Sequence, residues 1–265
     1  MLSAPSSRRE RILIYGEANS GKSSAWVSLA LWLRKTKNPA KIHLLDSDQA
    51  YEAMWCPELD GIVECVDIDV NEMEKWPGVM AAIKQKVQPD DWVVVDMIDK
   101  LWAGAQSYFW EQEGSGSLGS VYMRAMTDAG FNIGGDWGKN WDAINKLKDD
   151  FMWLYLNSRC HKLACTSAGT VYVDNKSGLA TRADDEKYVR YKFKPRGHPR
   201  IAHEFHSILL AREIPGKQDS EWNLTTEKER GPIGMAKRAE LRGEKVTAAG
   251  GFVQAYLLKV AGWKL

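Results

Sequence analysis

An α/β fold built on a mostly parallel central β-sheet flanked by helices is predicted by three observations. Short apolar runs of strand type recur along the chain, and helical stretches separate many of them, as in a sheet covered on both faces. The first unit, residues 11–36, reads strand, glycine loop and helix without interruption. Late in the chain, runs at 207–213 and 221–226 are joined by EIPGKQDS, which predicts an antiparallel hairpin at the sheet edge.

Taken in order, the expected strands are RILIY (11–15), KIHLL (41–45), GIVECV (61–66), DWVVVD (91–96), HKLACTS (161–167) and HSILLAR (206–212). Helices are expected at 22–36, about 49–55, 72–87 and about 138–158. Two stretches lack periodicity. Residues 112–140 are glycine-rich, and 174–200 run from polar to basic. Irregular loops of that length in a compact domain are functional or disordered as a rule. The organisation expected is a tail at 1–10, one domain at 11–241 and a helical segment at 242–265.

Composition narrows the function classes. The 265 residues are 44% hydrophobic and 27% charged, the balance of a globular domain with a generous core. A net charge of +1 provides no global field for nucleic acid, so any such binding needs a local patch. Cys56, Cys65, Cys160 and Cys165 form no C-x-x-C pair, and buried thiols are expected. Cys160, His161 and Cys165 stand at the start of a strand, where packing is a better reading than metal ligation. No secretory signal opens the chain, and no apolar run is long enough to span a membrane. A cytoplasmic location is the expectation. The 12 tryptophans carry no separate functional reading.

The loop Gly16-Glu17-Ala18-Asn19-Ser20-Gly21-Lys22-Ser23 matches G-x-x-x-x-G-K-[ST], with a strand before it and, from Ser24, a helix after it. Glycines let successive backbone N–H groups turn inward as an anion nest, and the helix N-terminus adds positive potential. Lys22 is placed to reach the β- and γ-phosphates of a nucleoside triphosphate, and Ser23 to ligate Mg²⁺. The acidic partner expected opposite is Asp96, at the C-terminal end of the apolar strand 92–95, a Walker B pattern. Asp99 is expected to cap the next helix. Hydrolysis also needs a group to orient water, and Met97 stands where a Glu would follow Asp96. Asp46, Asp48 and Glu52 cluster after the second strand instead.

LLDSDQAYEAMW (44–55), the strand ending in Asp96, the helix leading to HKLACTSAG and the turn LTTEKERGPIG together resemble a RecA-like P-loop NTPase core, across roughly residues 10–235. Compact phage-encoded RecA-like recombination and single-strand annealing ATPases are similar in length and arrangement. The resemblance implies ATP and Mg²⁺ as ligands, a homo-oligomeric ring or filament, and single-stranded DNA as a partner. It places Asp48 where that family has its catalytic Glu, with Glu52 as the other candidate, Trp55 and Glu52 near the base, and Thr166 or Ser167 near the γ-phosphate. Lys228 and Arg230 fall where that family has cationic fingers reaching the neighbouring subunit's nucleotide. The sequence departs from that pattern with Asp for Glu at 48 and with Thr166 or Ser167 where the pattern has Gln.

Lys187, Arg190, Lys192, Lys194, Arg196 and Arg200, interleaved with Tyr188, Tyr191 and Phe193, form the candidate nucleic-acid patch. Read as a strand, KYVRYKFK puts rings and cations partly on opposite faces, which equally suits an amphipathic strand packing its rings. Two other functions stay open: a P-loop kinase acting on a small molecule, and a nucleotide-dependent assembly switch with little turnover. No guanine-reading motif is visible, which favours ATP.

Overall fold

The computed structural model describes residues 9–69, 71–112, 137–174, 177–182, 185–186, 188–189, 192–214, 221–228, 245–247, 252–258 and 261–263. The strands are β1 (Arg11–Gly16), β2 (Ile42–Asp46), β3 (Val63–Asp67), β4 (Trp92–Asp96), β5 (His161–Thr170), β6 (Phe193–Pro195), β7 (Ser207–Ile214), β8 (Glu221–Lys228) and β9 (Lys245–Thr247). The helices are α1 (Ser24–Lys35), α2 (Ala50–Met54), α3 (Trp76–Lys86), α4 (Ile98–Gln112), α5 (Trp137–Leu156) and α6 (Ile201–Glu204). A π-helical segment, Val253–Leu258, lies near the C-terminus.

The sheet runs β3-β2-β4-β5-β1-β7-β8-β9, with β6 paired to β5. From β3 to β7 every pairing along this path is parallel, while β7–β8 and β8–β9 are antiparallel. The expected hairpin is therefore present, but β9 lies outside it. β-Branched, fully buried runs such as Trp92-Val93-Val94-Val95 suit central parallel strands. Alternate side chains feed two cores. On one face Ile12, Ile14, Trp92 and Val94 pack with α1 residues Trp26, Leu29 and Leu33, and with Phe252, Tyr256 and Trp263 from the C-terminal region. On the other face Leu13, Tyr15, Val93 and Val95 pack with α3, α4 and α5 through Met80, Leu101 and Phe151. No described helix is long and apolar enough to cross a membrane.

Three local readings of the sequence change. The helix expected at 72–87 begins as a 3₁₀ turn over Met73–Lys75, and α3 starts at Trp76 with Pro77 in its first turn, where a missing N–H costs nothing. Helix α4 has no counterpart among the helical stretches read from the pattern, and Asp99, expected to cap a helix here, lies inside its first turn instead. Its apolar residues at 98, 101, 105 and 109 hold helical spacing, but Gly104 and the glycine-rich run beginning nearby obscure it. KYVRYKFK is not one strand: Tyr188 and Val189 lie in a 3₁₀ turn, Lys192 has φ of 63°, and the strand covers only Phe193–Pro195. A left-handed residue breaks the alternation that the sequence pattern suggested.

Candidate nucleotide-binding site

The parallel strands β1, β5, β4 and β2 all end at one edge, and the P-loop leaves that edge directly from β1. Gly16 has no room for a side chain. A Cβ there would stand 2.2 Å from Ser20 Oγ and 2.5 Å from the Ala211 carbonyl. Asn19 and Gly21 adopt φ of 59° and 79° among neighbours of negative φ, an alternation of sign that suits a concave nest of amides. Glu17, Ala18 and Asn19 are exposed and Ser20 is buried. The Lys22 side chain folds over the loop, and its ammonium donates to the Glu17 carbonyl at 2.6 Å. Ser23 precedes α1, and Ser24 begins it.

Asp96 is fully buried at the end of β4. Register aligns it with Asp46 on β2 and Cys165 on β5. Trp26 Nε1 donates to Asp96 Oδ2 at 2.9 Å. Burial pushes the carboxyl above its ordinary range, against the opposing pull of Ser23 and Trp26, and the negative charges of Asp46 and Asp48 push the same way as burial. Among the described residues Oδ1 has no hydrogen-bond partner. An orphaned, buried carboxylate oxygen beside the P-loop serine, with two more carboxylates close by, is a donor set that fits a hard divalent cation. Ser23 and Asp96 would hold Mg²⁺. Bound there, it would neutralise phosphate oxygens.

Asp46 itself is spent structurally, its two oxygens accepting from the amides of Asp48 at 3.0 Å and Tyr51 at 2.7 Å. Those bonds hold the start of α2 against the sheet. Asp46, Cys65 and Asp67 form one group with metal-ligand spacing among the described residues, their ligand atoms within 4.8 Å of one another. Burial pushes the Cys65 thiol up to about 12, which disfavours the thiolate.

Asp48 lies at the same edge and is exposed, but its carboxylate is taken by Lys100 Nζ at 2.5 Å. Lys100 also donates to the Ser47 carbonyl at 2.8 Å. Ser47 Oγ in turn accepts from Met97 N at 2.8 Å, tying the residue after Asp96 to the β2–α2 turn. Glu52 is exposed on α2, and Trp55 is 54% exposed just beyond it. Thr166 is buried on β5, one position beyond the residue aligned with Asp96, and its hydroxyl donates to the Arg196 carbonyl at 2.8 Å.

Lys228 sits elsewhere. It pairs with Ile208, which is level with Leu13 in β1, and its ammonium donates to the carbonyls of Ala202 at 2.7 Å and Phe205 at 2.5 Å. Those carbonyls precede β7, so the ammonium points away from the edge that carries the P-loop of its own chain. Arg230 lies outside the described residues, as do Lys187 and Arg190 of the basic patch and residues 113–136 of the glycine-rich stretch. Of the remaining patch residues, Lys192, Arg196 and Arg200 are exposed, and Lys194 pairs with Asp185 at 2.5 Å.

Sequence reasoning passed over three residues of this site. Trp26 stands three positions after Ser23, on the first turn of α1, and faces the acid. Cys165 is fully buried between the loop and the acid, its thiol 3.6 Å from the Lys22 carbonyl. Lys100 pairs with Asp48. The spacing of Trp26 from the motif was a usable signal; the other two depend on strand register and helix placement.

No protein-family profile matches the chain, and no curated protein matches it. Among solved structures, it is similar to the KaiC-like protein PH0186 from the hyperthermophilic archaeon Pyrococcus horikoshii OT3. Identity is 12%, the TM-score is 0.41, and 93% of this chain and 94% of that one are covered. Likeness at that level identifies no family.

Proposed function

We propose that the chain is a P-loop ATPase of RecA-like type that binds ATP with Mg²⁺ and hydrolyses it. The observation that carries this reading is the unpartnered Asp96 Oδ1, fully buried beside the P-loop. A buried carboxylate with one oxygen left unpaired is costly, and a cation with its triphosphate offsets that cost. The loop amides and Lys22 bind the phosphate tail. Ser23 and Asp96 hold the cation. Asp48, once free of Lys100, orients the attacking water, with Glu52 as the alternative. Thr166 and Ser167 stand on the strand between acid and loop, where they report on the terminal phosphate. Trp55, exposed beyond α2, offers a face to the base.

The further reading, supported by the motif resemblance, is a homo-oligomer acting on single-stranded DNA in phage-type recombination, repair or replication. Lys228 and Arg230 then serve a neighbouring subunit, and the basic residues around Lys192–Arg200 contact the strand. The test is phosphate release from ATP, measured across protein concentration with and without single-stranded DNA. Turnover per subunit that rises under both supports the reading; flat turnover removes assembly and DNA from it. A second reading, phosphoryl transfer to a small anionic acceptor, is favoured by the arginine-lined cavity near the same edge. Phosphate released without an acceptor decides against it.

A further inference from the structure

Beyond the P-loop, a cavity of about 590 Å³ opens beside the end of β5, lined by Arg182, Asp185, Lys194, Arg196, Arg200 and His203 among others. Its size is that of a small-ligand pocket. Its charge is one-sided. Lys194 and Asp185 neutralise each other across 2.5 Å. Among the described residues, none of the three guanidiniums has a carboxylate partner. Tyr188 and Ile201, both buried, belong to the lining and to the apolar core beneath it.

The wall carrying Arg196 is fixed rather than loose. Arg196 N donates to the Ser167 carbonyl at 2.9 Å, and its own carbonyl accepts from Thr166 Oγ1 at 2.8 Å. Ala168 pairs with Pro195 and Thr170 with Phe193. Three planar forks on the lining of one space, with the backbone of the Arg196 wall already pinned, suit a ligand rich in phosphate oxygens. The register of Gly16 with Ser167 places this cavity beside the P-loop, across β5, and not within it.

The geometry points to a second anion site, in which Arg182, Arg196 and Arg200 clamp a phosphate-bearing ligand independently of the P-loop. The phosphate belongs either to a free small molecule or to a nucleic-acid strand. The site does not depend on the P-loop holding nucleotide, so the two can fail separately.

The experiment uses the full chain carrying Lys22→Ala, which disables the P-loop, and titrates inorganic pyrophosphate by calorimetry. Saturable binding is expected. It should weaken at least tenfold in Lys22→Ala with Arg182→Gln, and again with Arg200→Gln. Both arginines are exposed, so thermal melts matching the Lys22→Ala parent establish that the variants are folded. Competition by a 5′-phosphorylated oligothymidylate assigns strand phosphates to the cleft, and its absence assigns the cleft to small phosphates. Lack of pyrophosphate binding to the Lys22→Ala protein, or binding indifferent to both arginines, overturns the site.

Discussion

Replacing Asp96 with Asn separates what the acid does for binding from what it does to stability. The substitution keeps shape and removes charge. Asp96 is fully buried, its Oδ1 has no partner among the described residues, and burial together with Asp46 and Asp48 disfavours its charged form against the opposing bonds from Ser23 and Trp26. Leaving a buried polar group unsatisfied costs about 1–3 kcal/mol, and more when it is charged; the Asn amide is left unpaired there in turn, so only the charge's share is recovered. The loss of a charge-assisted bond from Trp26 Nε1 takes back part of the gain, because a neutral amide oxygen still accepts there. The net expectation is a protein stabilised by about 1–2 kcal/mol, or roughly 2–8 °C in Tm for a domain of this size. Meanwhile Mg-dependent nucleotide binding is lost. Melting curves with and without MgATP read both effects. At a hundredfold excess over Kd a ligand stabilises by about 2.7 kcal/mol, a shift that wild type should show and Asp96→Asn should not. A destabilised variant that still responds to MgATP refutes the placement of Asp96 as an unmatched cation ligand.

Two further outcomes follow from particular contacts. Asp48→Asn breaks an exposed ion pair with Lys100, worth about 0–1 kcal/mol, so Tm should move little; hydrolysis should fall at least tenfold with nucleotide affinity retained, and full hydrolysis in a steady-state assay transfers the role to Glu52. His161 is buried between the Trp92 and Trp263 rings, and burial first, then the charges of Arg9 and Lys162, hold its imidazole down to about 3. The unfolded chain binds that proton near pH 6.5 while the folded one does not, so stability is intact above pH 6.5 and falls by about 1.4 kcal/mol per pH unit down toward pH 3. Urea unfolding between pH 7 and 5 should show a shallower slope in His161→Phe than in wild type, and equal slopes refute the assignment.

The turn at Gly16–Ser23 and the buried acid near it were legible as geometry because they are local. Gly16 to Ser23 are consecutive, and Asp96 ends an apolar strand of obvious type. The parallel sheet was legible for the same reason, since each buried strand announces itself in five or six residues. What escaped depends on residues distant in sequence. Cys165 reaches Asp96 only through the β4–β5 register, and Lys100 reaches Asp48 only because α4 starts beside the β2–α2 turn. KYVRYKFK misled because alternation describes a strand only while φ stays extended, and Lys192 breaks it. The tryptophan excess gained a partial meaning: Trp26 donates a hydrogen bond to the buried acid, while Trp92 and Trp263 enclose His161.

Calorimetric titration of the protein with ATP in the presence of Mg²⁺ tests the central claim most directly. The geometry predicts saturable heat from one site in wild type and none in Lys22→Ala. Wild type without heat, or a Lys22→Ala protein that binds as tightly, contradicts it.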